Sequence, residues 1–132
     1  MLNFIWIVSA SGANAGYVAF HTYPIFASDC STIEESHDYD VRFIFYLFQS
    51  KQLQLKKLQT GGAQPHVYPE QLKNLAILFP QNKDEQKAIA DILTDIDNEI
   101  ETLQQQLSKY KLMKEGMMQD LLTGKVRLTE TK

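Results

Sequence analysis

A single cysteine, Cys30, leaves the chain without a possible internal disulfide. Together with the lack of an N-terminal signal pattern, that fits a reducing cytoplasm. No apolar run reaches the roughly 18–20 residues that a membrane-spanning helix needs, so the expectation is a soluble intracellular protein. Positive charge is not in excess: 13 Lys and Arg stand against 16 Asp and Glu, a net of −3. This disfavours a freestanding basic clamp whose affinity rests on phosphate contacts, so any contact with nucleic acid must be local or shared. The 132 residues suffice for one core plus an appendage.

Catalytic and metal-binding patterns are missing as well. Cys30, His21, His37 and His66 have no recognised ligand spacing, and neither CxxC nor HExxH occurs. Gly12-Ala13-Asn14-Ala15-Gly16 lacks the Lys-Ser/Thr of a phosphate-binding loop and reads as a turn between strands. The expectation is therefore no enzyme, no catalytic residue, no metal and no cofactor of its own. Asp38 and Asp40 precede a helical pattern, where carboxylates favour the helix dipole, and capping explains them better than paired-acid chemistry. Lys51, Lys56 and Lys57 fit either a solvated helix face or phosphate contacts.

What is present divides into two textures near residue 80. Residues 1–80 hold every Phe, the one Trp, all three His, all four Pro and five of six Tyr. Residues 81–132 contain a single aromatic, Tyr110, among Leu, Ile, Met, Gln, Lys and acidic residues, which are mostly good helix formers. Residues 4–8 and 17–20 read as strands around the Gly-containing turn, and residues 23–27 as a further extended piece that Pro24 confines to an edge or a strand start. Apolar residues at spacings of three and four predict one amphipathic helix over 41–58. Thr60-Gly61-Gly62-Ala63-Gln64-Pro65 breaks the chain, 69–72 reads as a short helical turn, and Leu75-Ala76-Ile77-Leu78-Phe79 as a buried strand ended by Pro80. The fold class expected is α+β: a small partial domain of short strands and one or two helices, then a long C-terminal coiled-coil helix, with domains 1–80 and 81–132.

That helix carries the clearest pattern. Asn82 with Glu85 fits an N-cap and its capping-box partner, and Gly124 supplies the stop. Residues 84–122 would extend about 58 Å as a helix, more than one small domain covers. With Leu93 at position a, the a series is Gln86, Leu93, Ile100, Leu107, Lys114 and Leu121, and the d series is Ile89, Ile96, Leu103, Tyr110 and Met117. Nine of these eleven positions are apolar, and a seven-residue period held this long implies a left-handed supercoil with another helix. Residues 83–102 carry two Lys and seven acids, a net of −5, whereas 103–127 carry five basic and two acidic residues, a net of +3. An antiparallel pair about an axis near Gln104 sets acidic beside basic, bringing Leu93 near Met117, Ile100 near Tyr110 and Asp97 near Lys111 of a second copy. Exposed ion pairs at about 0–1 kcal/mol each select the orientation. Buried Leu and Ile side chains at roughly 1.5–3 kcal/mol each supply the affinity.

Several motifs also resemble a known family. Glu85-Gln86-Lys87-Ala88-Ile89-Ala90-Asp91-Ile92-Leu93, with Asp97 and Ile100, and Gly116-Met117-Met118-Gln119-Asp120-Leu121-Leu122-Thr123-Gly124-Lys125-Val126-Arg127-Leu128 resemble the helical region of type I restriction-modification specificity subunits. Upstream, Val8-Ser9-Ala10-Ser11-Gly12-Ala13-Asn14-Ala15-Gly16-Tyr17-Val18, Pro24-Ile25-Phe26-Ala27-Ser28-Asp29 and Gly61-Gly62-Ala63-Gln64-Pro65 are similar to the later part of the family's target recognition domain. The resemblance implies a non-catalytic subunit. In the family, two recognition domains each read half of a split DNA target. Long helices pair antiparallel between them and dock methyltransferase subunits, which use S-adenosylmethionine, while ATP belongs to restriction subunits. Because a full subunit carries two domains and two helical regions, the expectation is that this chain corresponds to a C-terminal fragment.

The match to the family's recognition loops nominates Ser11, Asn14, Lys51, Thr60, Gln64 and His66 as DNA-binding. Each also admits a structural reading; Gly61 and Gly62 permit a turn in which Gln64 satisfies its own backbone. The helix-pairing interface expected is Ile89, Leu93, Ile96, Ile100, Leu103, Leu107, Tyr110, Met117 and Leu121. Gly116 on the outer face fits either close approach of a methyltransferase subunit or a tolerated surface glycine. The partners implied are DNA, methyltransferase subunits and a second specificity subunit or copy of the chain, with no membrane. A second class remains open: an oligomeric interaction module, or modulator of assembly, that no longer binds DNA.

Overall fold

The computed structural model describes residues 5–23, 25–26 and 28–129. Three strands, β1 (Ile5–Ser9), β2 (Val18–His21) and β3 (Cys30–Glu34), form an antiparallel sheet in the order β2-β1-β3. Val8 of β1 faces Val18 of β2 and Ser31 of β3, and Ser9 faces Cys30. The first two strands follow the β-branched and aromatic runs that suit a pleated, half-buried surface. β3 was not anticipated: Cys-Ser-Thr-Ile-Glu holds a single large apolar residue, Ile33, which packs against the core while Thr32 and Glu34 stay exposed. Of the extended piece expected at 23–27, Pro24 and Ala27 lie outside the described residues, and Tyr23, Ile25 and Phe26 belong to no strand.

Two helices replace the single one expected over 41–58. Helix α1 (Val41–Ser50) starts at Asp40, whose side chain accepts the N–H groups of Arg42 and Phe43 at 2.9 and 3.0 Å, the capping arrangement read from the sequence. At Lys51 (φ −97°, ψ 11°) the helix breaks, and α2 (Gln52–Lys57) follows. Lys51 and Gln52, three and four positions after Phe48, stand half-buried at the break, and Leu55 beyond them is fully buried in the core.

Val8, Val18, Val41, Phe43, Ile44, Leu55 and Ala90 make the buried cluster that joins sheet and helices. Phe20 and Phe45 add a tilted ring pair at 5.4 Å. Helix α3 (Pro69–Lys73) begins with proline in its first turn, where the missing N–H is not needed. The buried strand expected at 75–79 is a correction: the segment is irregular, with Leu78 fully exposed. Leu75 and Ile77 do alternate inward, the period of an extended chain. The segment is held by side-chain packing rather than by a ladder, with the Phe79 ring 6.3 Å from that of Phe43.

Helix α4 (Lys83–Leu122) is 40 residues long. Asn82 caps it, its side-chain oxygen accepting the Asp84 N–H at 2.8 Å, and Gly124 turns left-handed (φ 73°) beyond its end. Residues up to Leu93 form one compact unit and those from Thr94 onward a second. Within the first unit the start of α4 is tied down by polar contacts. Gln86, 1% exposed, accepts the Asp40 N–H at 3.0 Å and donates to the Pro80 carbonyl at 2.7 Å. Lys83 donates to the Ser36 carbonyl at 2.7 Å, and Arg42 pairs with Asp91 at 2.8 Å and Asp40 at 3.4 Å. Burial opposes the charge on Arg42, but the bond to Asp91 and the Asp40 carboxylate outweigh it and hold the guanidinium above its ordinary pKa.

Candidate nucleic-acid interface

Three polar chain segments meet at the Ser9 end of the sheet. The loop after β1 makes a 3-10 turn (Gly12–Asn14) and is held from two sides. Gln52 donates to the Gly16 carbonyl at 2.5 Å and accepts the Val18 N–H at 3.1 Å, and Gln59 donates to the Ala15 carbonyl at 2.8 Å. Gly16 is left-handed (φ 76°), and a Cβ there would stand 3.0 Å from the Leu55 carbonyl oxygen. Only glycine combines that backbone with that approach.

The second segment is residues 60–67. Thr60 and His66 exchange N–H···O bonds at 2.9 Å in each direction, and Ser11 forms a further antiparallel bridge with His66. The Pro65 carbonyl accepts from Gly12 at 3.0 Å, and the Val67 N–H donates to Ala10 at 2.8 Å. The third contribution is Asp29. Its carbonyl accepts the Ala10 N–H at 3.0 Å, and its carboxylate accepts the Ser11 hydroxyl.

Four of the six nominated DNA-binding residues are thereby tied into one surface. Thr60 and His66 bond directly, Ser11 lies opposite His66 in a bridge made by its neighbours' bonds, and Gln64, exposed, sits in the Gly61–Pro65 turn between Thr60 and His66, its carbonyl 2.9 Å from where a Cβ on Gly61 would stand. Asn14 is exposed in the 3-10 turn three residues after Ser11. Lys51 instead stands at the α1–α2 junction, beside the clamp Gln52. His66 also packs its ring 4.4 Å from that of Tyr68, and Lys56 and Lys57 form the exposed basic last turn of α2.

Asp29, Gln52 and Gln59 were not singled out from the sequence. An amide that clamps a carbonyl more than thirty residues away leaves no periodic trace. Asp29 had a faint one, since Asp tolerates the left-handed backbone (φ 52°) that it adopts here. Among the described residues no group of three His, Cys, Asp or Glu could hold a metal ion, and no helix is long and apolar enough to cross a membrane. Burial, and then the negative charge of Asp29, push the Cys30 thiol above its ordinary pKa, the reverse of what an activated thiolate needs.

The nominated pairing residues divide by position. Ile89 packs against the core of the first unit and Leu93 is half-buried. In the second unit, Ile96, Ile100, Leu103, Leu107, Tyr110 and Met117 are 46–63% exposed on the isolated chain, and Leu121 is half-buried. Met113, Met118 and Leu122 widen the apolar surface near the end of α4.

Residues 3–110 match the family model of the type I restriction modification DNA specificity domain. The type I restriction enzyme MjaVIII specificity subunit of Methanocaldococcus jannaschii is 34% identical over 113 residues, covering 85% of this chain and 26% of the relative. A putative type I specificity subunit of Mycoplasma genitalium is 32% identical over 95 residues, covering 70% of this chain and 25% of the relative. The chain thus spans about a quarter of the length of these curated relatives. The crystal structure of a type I restriction-modification system S subunit from M. genitalium superposes with a TM-score of 0.73 at 25% identity, over 88% of this chain and 32% of that one. With the family model matching most of its length, the chain belongs to the type I restriction-modification DNA specificity domain family.

Proposed function

We propose that the chain is a non-catalytic DNA sequence-specificity module of a type I restriction-modification system, acting in the cytoplasm. It pairs through α4 with an antiparallel helix and docks methyltransferase subunits. S-adenosylmethionine and ATP belong to the partner subunits. The observation that carries this reading is the apolar row from Ile96 to Met117, half to two-thirds exposed on a single chain. Large apolar side chains repeated every three to four residues along a helix call for a second helix.

The sheet-end loops support the DNA-reading half of the proposal. They present backbone, hydroxyl, amide and imidazole groups, which suit base edges, beside Lys56 and Lys57, which suit phosphates. Two copies related by a two-fold axis would read an interrupted palindrome. Gel retardation on randomised duplexes, with and without methyltransferase subunits, tests this. Sequence-selective retardation supports it; no retardation in either condition refutes it. The net charge of −3 favours one competing reading, an assembly module that pairs without touching DNA; it predicts that same negative result together with a solution mass above that of one chain.

A further inference from the structure

We infer that Asp29, held by Ser11, is the residue of this surface that selects a cytosine. The inference rests on the DNA-reading function proposed above and names a base that the surface would recognise.

Charge is distributed unusually around the sheet end. Residues 9–20, 22–29 and 58–69 contain no Lys, Arg or Glu, and a single Asp, Asp29. A lone carboxylate on an otherwise uncharged surface cannot grip phosphate; it repels it. What an acceptor-only group can recognise on duplex DNA is an amino group, and in the major groove cytosine offers its N4 amino group as a donor without an adjacent acceptor. Adenine pairs its amino group with the N7 acceptor, which a carboxylate cannot satisfy but an amide can.

The side chain is also oriented. Ser11 donates its hydroxyl to one carboxylate oxygen, and Ser11 is itself fixed by its bridge to His66. The Asp29 carbonyl is fixed by the Ala10 N–H at 3.0 Å. Backbone and carboxylate are thus both anchored to the same loop while the residue remains exposed, leaving lone pairs for a ligand. Asp29 is the one non-glycine residue with a positive φ among those described (52°). The backbone alone would be better served by glycine or asparagine, neither of which carries a charge. Phosphate attraction then falls to residues outside these segments, such as Lys56 and Lys57 in the last turn of α2.

Binding-site selection from randomised duplexes, using the full chain as wild type, Asp29→Asn, Asp29→Gly and Ser11→Ala, tests the inference. Wild type is expected to require cytosine at one position of each half-site. Asp29→Asn should lose that preference by about tenfold or more and shift toward adenine, while binding to random duplex does not weaken, since a charge that repels phosphate is removed. Asp29→Gly, which relaxes the backbone and so keeps the fold, should lose the preference and gain none. Ser11→Ala should keep the base with weaker discrimination. If Asp29→Asn and Asp29→Gly select the wild-type sequence, or weaken binding to all duplexes equally, the inference is overturned and the DNA-reading function stands. If wild type selects no sequence, the function falls and the inference falls with it.

Discussion

The Gln86 side-chain oxygen accepts the backbone N–H of Asp40 at 3.0 Å while its amide donates to the Pro80 carbonyl at 2.7 Å. One buried amide thus joins the first turn of α4 to the residue that caps α1. The heptad pattern puts Gln86 at a seam position, but its partners lie within its own compact unit.

Removing that amide should be costly. Gln86→Ala strands a buried N–H and a carbonyl, and denaturant titration should show a loss of about 1–3 kcal/mol. Gln86→Glu should lose comparably, because a carboxylate cannot donate to Pro80.

Asp40 caps α1 through two N–H groups and pairs with Arg42. Asp40→Ala should destabilise by about 1 kcal/mol, read as a lowered thermal midpoint, with Asp40→Asn retaining most of the cap.

Gly16→Ala forces a Cβ to 3.0 Å from the Leu55 carbonyl at a left-handed φ. Thermal unfolding should show the loss of more than about 1 kcal/mol. Gly12→Ala, whose Cβ meets nothing within 4 Å though φ is 77°, should cost less.

Cys30 has a thiol pKa raised by burial and by Asp29. At pH 8 its thiolate fraction lies below that of a free cysteine, so alkylation of the folded protein should be slower than of the unfolded chain. Asp29→Asn removes a charge that disfavours the thiolate, lowers the pKa and should speed the reaction; an unchanged rate would contradict the Asp29 contribution.

Much of this was legible in the sequence where one local signal dominated. The Asp40 and Asn82 caps and the turn at Gly61 each announce themselves within a few residues, and the helix formers after Asn82 announce α4. Strand β3 did not, because an edge strand with Ile33 as its one large apolar side chain has almost no alternation to read. The segment at Leu75 carried a strand's alternation without a strand's ladder, which depends on neighbours remote in sequence. The same holds for the site. Ser11, Thr60 and His66 could be nominated from loops, whereas the amides of Gln52 and Gln59 that hold those loops in place, and the carboxylate of Asp29 bonded to Ser11, are visible only after folding.

Orientation of the helix pair is testable by cysteine pairing in a Cys30→Ser background. Asp97→Cys with Lys111→Cys should cross-link two chains readily, since antiparallel packing sets these positions side by side. Ile100→Cys alone should not, whereas a parallel in-register pair, in which this seam position faces its own copy, would cross-link through it.

The central claim, that the apolar stripe of α4 is completed by another helix, is tested most directly by the solution mass of the purified chain. Light scattering should give at least twice the 15.2 kDa of one chain. Ile100→Asp combined with Leu107→Asp, at positions about half exposed in the single chain, should return it to one chain while the first unit stays folded. A wild-type mass of one chain, or unchanged association in that double variant, would contradict the account.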